Sequence, residues 1–361
     1  MDISTVCVHG CNKKYDSTGA VAVPIYLSAT FAHPAVGEST GFDYSRSLNP
    51  TREYLEHTVA ALEGGTGAIA FSTGMAAASV LMEMFSPGDH IVSSDDLYGG
   101  TYRLFDRVSG KNGLTFSYAD TIEDINAAIK PATKAVFIET PTNPLMRVID
   151  ISKVAELTRE RGLLLIVDNT FLPYLQRPLT LGADIVLHSG TKYLGGHNDV
   201  LAGVLVTKDE SVNERLRFLA KTTGGCLSPF DSYLVVRGIK TLAIRMERMQ
   251  ESAQVIAPWL NANDKVAKVY YSGMGGMISF SLRDEETAKK ILERVKIIQY
   301  AESLGGAESL ITYPMLQTHA DMPEEERNAR GIDARLLRLS VGLESVKDLI
   351  ADLEQAIGGP A

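Results

Sequence analysis

Cysteine is scarce in this sequence. The three present, Cys7, Cys11 and Cys226, are too few for a disulfide framework, so a reducing, cytoplasmic setting is expected. Long apolar runs are missing as well. No stretch approaches the length of a membrane span, and the opening MDISTVCVHGCNKKYD lacks the apolar core of a signal peptide, so no membrane role is expected. Positive charge is in deficit: 35 Lys and Arg against 44 Asp and Glu leave a formal charge of −9. That argues against nucleic acid as a partner and leaves room only for a local pocket that takes a small anion. Cys7, His9 and Cys11 stand close enough for a metal clip, but no second Cys/His pair follows at zinc-site spacing, and no metal is expected. Neither GxGxxG nor GxxxxGK[ST] occurs. Gly64, Gly65 and Gly67 in EGGTGAIAF precede an apolar run rather than follow one, which excludes the common nucleotide loops.

What is present is an ordinary globular composition, 45% hydrophobic and 22% charged over 361 residues, enough for a large core divided between two domains. Residues 1–50 show little periodicity and end in YSRSLNPT, which reads as an extended arm lying on a neighbouring surface. Leu55, Val59 and Leu62 then mark one face of a helix that Gly64 and Gly65 terminate. Seven short apolar runs follow, AIAF, HIVSS, LTFSY, KAVFIET, LLLIVD, DIVLHS and AGVLVT, separated by helical stretches. Several are apolar at consecutive positions, as strands buried on both faces must be. The alternation predicts an α/β unit over 51–230 with a largely parallel sheet of about seven strands. Beyond it, DSYLVVRGIKTLAIRMERMQESAQVIAPWL predicts one or two long helices. A smaller α+β domain over 231–361 follows, with GGMISFSL and LLRLSVG as strands. SVKDLIADLEQAI reads as the closing helix, with Ser345 and Asp348 placed like a capping box.

In open α/β sheets ligands bind beyond the carboxyl ends of the strands, so the polar residues there carry the functional reading. AIAF runs through Ser72 into an apolar helix whose first amides, on Gly74 and Met75, are free for an anion. HIVSS leads to Tyr98, KAVFIET to Asn143, and LLLIVD ends on Asp168. DIVLHS delivers Ser189, Thr191 and Lys192. Singly, each is what any strand-to-loop transition contains. Jointly they describe a ligand with a phosphate for Gly74, Ser189 and Thr191 and a flat ring for Tyr98. Its ring nitrogen would pair with Asp168, and its electrophilic carbon would form an imine with Lys192. That ligand is pyridoxal 5'-phosphate.

On the segments DIVLHSGTKYLGGHND, YSRSLNPTREYLE, AESLGGAESLITYP and LLRLSVGLE, the sequence resembles the transsulfuration (Cys/Met metabolism) family of pyridoxal-phosphate enzymes, nearly end to end. The resemblance implies fold type I, the aspartate-aminotransferase-like PLP-dependent transferase fold. It implies Lys192 as the Schiff-base lysine and, with Tyr98, the proton carrier. Asp168 becomes the pyridinium partner, Gly74, Met75, Ser189 and Thr191 the phosphate ligands, and Tyr98 the stacking ring. Tyr44 and Arg46 would reach the phosphate of an adjacent subunit, making the protein at least a homodimer and, as is usual in the family, a homotetramer. Arg338 matches the arginine that grips the substrate carboxylate. Asn143 and Ser303 fall on the substrate side, Glu302 could meet a distal ammonium, and Arg103 a distal carboxylate. The implied activity is C–S bond cleavage in a small sulfur amino acid, of the cystathionine β- or γ-lyase type. The alternative is γ-replacement, as in cystathionine γ-synthase or an O-acylhomoserine sulfhydrylase, and a non-catalytic binding module on the same fold is the third reading. Tyr98-Gly99-Gly100 places glycine where methionine γ-lyases carry cysteine, and YYSGMGGMISF is shorter than the matching segment of many members.

Overall fold

The computed structural model describes residues 1–11, 17–320 and 322–358. Seven strands form the first sheet: β1 (Gly67–Phe71), β2 (His90–Ser94), β3 (Thr115–Ala119), β4 (Thr133–Glu139), β5 (Leu164–Asp168), β6 (Ile185–Ser189) and β7 (Gly203–Thr207). Their spatial order is β1-β7-β6-β5-β4-β2-β3. β7 runs antiparallel to both of its neighbours, and the other pairings are parallel. All seven coincide with the apolar runs named above. Every residue of β1, β2 and β7 is buried, because helices cover both faces of the sheet. The carboxyl ends of β1, β2, β4, β5 and β6 therefore open onto one edge.

Helix boundaries follow local chemistry. Asn49 caps the Pro50–Glu63 helix by accepting from Thr51 N–H, with Pro50 in the first turn. Gly64, at φ 74°, closes it in the left-handed conformation, which gives that glycine a structural job and no phosphate to bind. Two helices, Pro229–Ile239 and Leu242–Ala262, fill the long amphipathic stretch.

A second sheet has the order β10-β11-β12-β9-β8, built from β8 (Val266–Tyr270), β9 (Met277–Leu282), β10 (Gln299–Tyr300), β11 (Leu310–Thr312) and β12 (Leu336–Ser340). Its core gathers Ile278, Phe280, Leu337, Leu339, Leu349 and Leu353 with the inner face of the Leu242–Ala262 helix. The two predicted strands are β9 and β12. β8, β10 and β11 go beyond the sequence reading, being half exposed or only two to three residues long.

Two local expectations fail. Residues 3–9 are not extended: Ile3–His9 is a helix, capped by Asp2, whose Val6 and Cys7 are buried in the core. Burial pushes the Cys7 thiol up to about 11, so it is a packed apolar group. Among the described residues no group of three His, Cys, Asp or Glu side chains is placed to hold a metal. At the other end, Ser345 precedes the Val346–Ile357 helix but makes no side-chain cap bond. Only its backbone carbonyl is used, by the amides of Asp348 and Leu349. No helix among the described residues is long and apolar enough to cross a membrane.

Candidate active site

The strand tips enclose a cavity of about 190 Å³ against the second sheet. Gly74, Met75, Tyr98, Asn143, Asp168, Ser189, Thr191, Lys192, Glu302, Ser303 and Arg338 all line it, so eleven residues scattered over 265 positions of sequence come to one place. At one end, Thr73 caps the Gly74–Met82 helix by accepting from Ala76 N–H, and its carbonyl takes the Ala77 amide. The Gly74 and Met75 amides have no protein acceptor among the described residues and form an anion-binding end. A Cβ on Gly74 would come within 3.1 Å of Ser189 Cβ and 3.2 Å of its Oγ. Glycine there lets the Ser189 hydroxyl sit against the helix start. Thr191 is more committed, since its Oγ1 donates to Ala202 O at 3.3 Å and accepts from Ala202 N–H at 3.0 Å. What it has left for a phosphate is a lone pair rather than a proton.

Lys192 occupies the middle. Its Nζ donates to Ser303 Oγ at 2.8 Å, and burial, aided by the charge of Arg338, lowers its pKa to about 8. Ser303 has φ 108°, a left-handed backbone that costs a serine roughly 1–3 kcal/mol. The strained turn points its hydroxyl at the amine and its carbonyl at Arg338 Nη2, 3.1 Å away. The sequence reading puts Ser303 on the substrate; its contacts are with the lysine and the arginine.

Arg338, on β12, is 1% exposed. Nη1 donates to Asn143 Oδ1 at 2.7 Å and Nη2 also reaches Thr312 Oγ1 at 3.3 Å, while Nε has no partner. Burial lowers its pKa to about 10, so it stays charged at neutral pH. None of these contacts is to a carboxylate. A buried guanidinium without a carboxylate at contact distance is set up to receive one.

Acids gather at the far end. Asp168 ends β5 and pairs in register with Glu139, which ends β4; both side chains are buried in the cavity wall. Asp168 Oδ1 accepts from Thr170 N–H at 3.0 Å. Burial raises its pKa, and burial plus the neighbouring Asp168 charge raises that of Glu139 well above the usual range. Two like charges so placed cannot both ionise freely unless a cation joins them. Glu139 is the principal residue the sequence reading misses. Its Oε2 accepts from Tyr98 N–H at 2.9 Å, anchoring the segment that brings the Tyr98 ring over the cavity. The only signal for it was its place at a strand tip. Burial raises the Tyr98 phenol pKa, with the Glu302 charge adding to the effect, so the ring keeps its proton.

These features fit pyridoxal phosphate: free amides and a hydroxyl at one end, an amine with a lowered pKa in the middle, and a carboxylate pair in need of a cation at the other. Three residues carried over from the resemblance lie outside the lining. Tyr44 is 48% exposed, and the Arg46 guanidinium lies 5.4 Å from its ring centroid while donating to Lys221 O. Arg103 is exposed on the outer side of the Gly99–Arg103 helix, near enough to act on the charge of the Tyr98 phenol.

The family model of the Cys/Met metabolism PLP-dependent enzymes matches residues 4–358. The chain is 54% identical to the cystathionine gamma-synthase/O-acetylhomoserine (thiol)-lyase of Bacillus subtilis, covering 96% of this chain and 94% of that protein. It is 46% identical to the cystathionine gamma-lyase of the same organism, covering 99% of each. Among solved structures, the cystathionine gamma-lyase of Lactobacillus plantarum complexed with L-serine superimposes with a TM-score of 0.97 at 42% identity, covering 99% of both chains.

Proposed function

The chain belongs to the Cys/Met metabolism family of PLP-dependent enzymes, and from that premise we propose that it is a cystathionine lyase. In this reading it cleaves a C–S bond to release ammonia, an oxo acid and a thiol amino acid. The observation that carries the reading is Arg338, a buried guanidinium that bonds no carboxylate, on the same cavity as the lysine amine. An α-amino acid presents a carboxylate to the first and an acidic Cα–H to the second. Arg338 and Asn143 would bind and orient that carboxylate. The cofactor, when bound, supplies an aldehyde for Lys192 and a ring that takes up the electrons left at Cα.

The remaining work falls to side chains. Lys192, with its pKa near 8, is matched to taking the Cα proton near neutral pH. Asp168 would hold the ring nitrogen charged, and Glu139 would share that task while keeping Tyr98 in place. The Tyr98 phenol, kept protonated by burial, would give its proton to the departing sulfur. For γ-cleavage a second proton must leave Cβ first, and Lys192 is the base at hand. Glu302 lies where the cavity meets a wider opening of about 470 Å³, a position suited to a distal ammonium. Gly74, Met75 and Ser189 would carry the phosphate, with Thr191 joining them once its hydroxyl turns away from Ala202 O, and Arg103 a distal carboxylate.

A second reading, γ-replacement, is favoured by the 54% identity to a protein described as both synthase and thiol-lyase. One assay separates the two. Cystathionine alone is expected to yield pyruvate, homocysteine and ammonia by β-cleavage, or 2-oxobutyrate, cysteine and ammonia by γ-cleavage. If neither set forms, and O-acylhomoserine with cysteine gives cystathionine, the synthase reading replaces the first. The assembly is proposed as a cytoplasmic homotetramer in which Tyr44 and Arg46 serve the phosphate site of a neighbouring subunit. Their exposed, paired arrangement supports this, and sedimentation velocity of the holoenzyme at the monomer mass would refute it.

A further inference from the structure

The segment that carries Tyr98 is mounted on the first sheet, yet much of what holds it comes from the second half of the chain. Arg330 places Nη2 at 2.7 Å and Nε at 2.9 Å from Asp95 Oδ1. The same guanidinium lies 5.4 Å from the Tyr102 ring centroid, and Tyr102 Oη donates to Glu326 Oε2 at 2.9 Å. Glu326 in turn is bonded by Arg330 Nη1 at 3.3 Å, which closes a three-residue ring of Arg330, Tyr102 and Glu326, with Asp95 attached through Arg330. Deeper in, the buried His319 sets Nε2 at 3.3 Å from Leu97 O and Nδ1 at 2.8 Å from Thr318 Oγ1. Burial lowers the His319 pKa to about 4. The neutral ring therefore donates from Nε2 to the Leu97 carbonyl and accepts the Thr318 proton on Nδ1. Gly99 completes the seam: a Cβ there would run into the Thr318 carbonyl, so the two backbones touch where only glycine allows it. These contacts flank Tyr98 on both sides, at 95, 97, 99 and 102.

We propose that Arg330 and His319 are positioning residues that clasp the 95–103 segment from the C-terminal half and so fix where the Tyr98 ring stands over the cavity. Glu139 holds the Tyr98 amide from the sheet side, the Thr101 and Tyr102 amides hold its carbonyl, and Asp95 N–H is tied to Ala119 O, but none of these bonds joins the segment to the second half of the chain, whose wall faces the ring. The clasp supplies that join without touching substrate. It rests on the reading of Tyr98 as the ring-facing, proton-carrying residue given above.

The test uses the holoenzyme of the parent, of Arg330→Gln, of Arg330→Lys, of Asp95→Asn and of His319→Gln. The Arg330 side chain is at the lip of the seam, 13% exposed, and its loss is expected to leave the chain folded. Arg330→Gln is expected to speed hydrogen exchange in peptides covering 95–103 while peptides from β8 and β9 exchange as in the parent. It should also lower kcat by about 10- to 100-fold, the usual cost of a displacement near 1 Å, with a smaller change in KM. Asp95→Asn should give the same pattern, and Arg330→Lys, which keeps a cation facing Asp95, Glu326 and Tyr102, should retain both readouts in part. Unchanged exchange at 95–103 in Arg330→Gln would overturn the proposal, whatever the activity does, a fall in kcat included. Exchange needs no substrate, so accelerated exchange with unaltered kcat would mean instead that the assignment of Tyr98 is wrong. His319→Gln should likewise speed exchange at 95–103 and lower kcat; should it fail to fold, the Arg330 and Asp95 variants still decide the matter.

Discussion

Lys192→Ala is expected to lower turnover by about 10⁴-fold or more, because one substitution removes both the cofactor's covalent anchor and the base that moves the Cα proton. The folded state should be unharmed. Lys192 is largely buried in the cavity with its pKa held near 8, so at pH 7 the native protein carries a largely desolvated ammonium there. Its neighbours offer it one neutral acceptor, the Ser303 hydroxyl oxygen. Alanine removes that cost, and the melting temperature should stay level or rise. The sign follows from linkage. Between about pH 8 and 10.5 the unfolded chain binds a proton at this lysine that the native chain has lost, so its contribution makes the parent more stable as pH rises through that window. Alanine should flatten that slope. Acetylation of Lys192 by trace acetic anhydride, a reagent that does not itself titrate and reacts only with the free amine, should in the cofactor-free parent rise about tenfold per pH unit and level off above about pH 8, read by peptide mass spectrometry. Borohydride treatment of the holoenzyme should add the reduced cofactor to the peptide containing Lys192. Normal turnover by the alanine variant, or cofactor fixed on a different lysine, would remove residue 192 from the mechanism.

Arg338→Ala should act on binding. Removing one side of a buried charge pair costs about 2–5 kcal/mol, so the apparent affinity for the amino acid substrate should fall roughly 30- to 5,000-fold. Arg338→Lys is expected to recover little of it. A lysine keeps the charge but lacks the planar fork that spans Asn143, Ser303 and the incoming carboxylate. A control comes from an amine without a carboxylate, such as cysteamine. It should inhibit the parent and Arg338→Ala equally, since it never used the guanidinium. If substrate affinity is unchanged in Arg338→Ala, or if cysteamine weakens as much as the substrate does, the carboxylate is held elsewhere.

The sequence speaks most clearly where structure is local. The seven strands of the first sheet are readable because each is a run of consecutive buried apolar residues, and the rule that ligands gather at carboxyl ends then picks out Gly74, Tyr98, Asp168 and Lys192. Glu139 is invisible by the same logic. It looks like the polar end of any strand, and only the register that sets it beside Asp168 gives it meaning. The contacts of Ser303 with Lys192 and Arg338 are not legible, because a φ of 108° is not written in AESLGG and decides which way the hydroxyl turns. Arg330 carries no motif at all; its importance comes from a partner 235 positions away. The short strands β8, β10 and β11 escape because half-exposed or two-residue pairing leaves no period to read. The Ile3–His9 helix is shorter than two full turns, and its tie to the core is tertiary rather than periodic.

The order in which the cavity's parts occur along the chain has a consequence for biosynthesis. A ribosome releases the anion-binding turn, the paired acids and the lysine well before it reaches residue 338. A nascent polypeptide stopped after β7 would thus own the lysine with neither the wall that buries its amine nor the guanidinium that lowers its pKa and selects amino acids for it. Competence arrives with the last fifteenth of the message, when β12 slides between β9 and β11. Premature termination anywhere upstream of that point should leave a product with an ordinary lysine and no turnover.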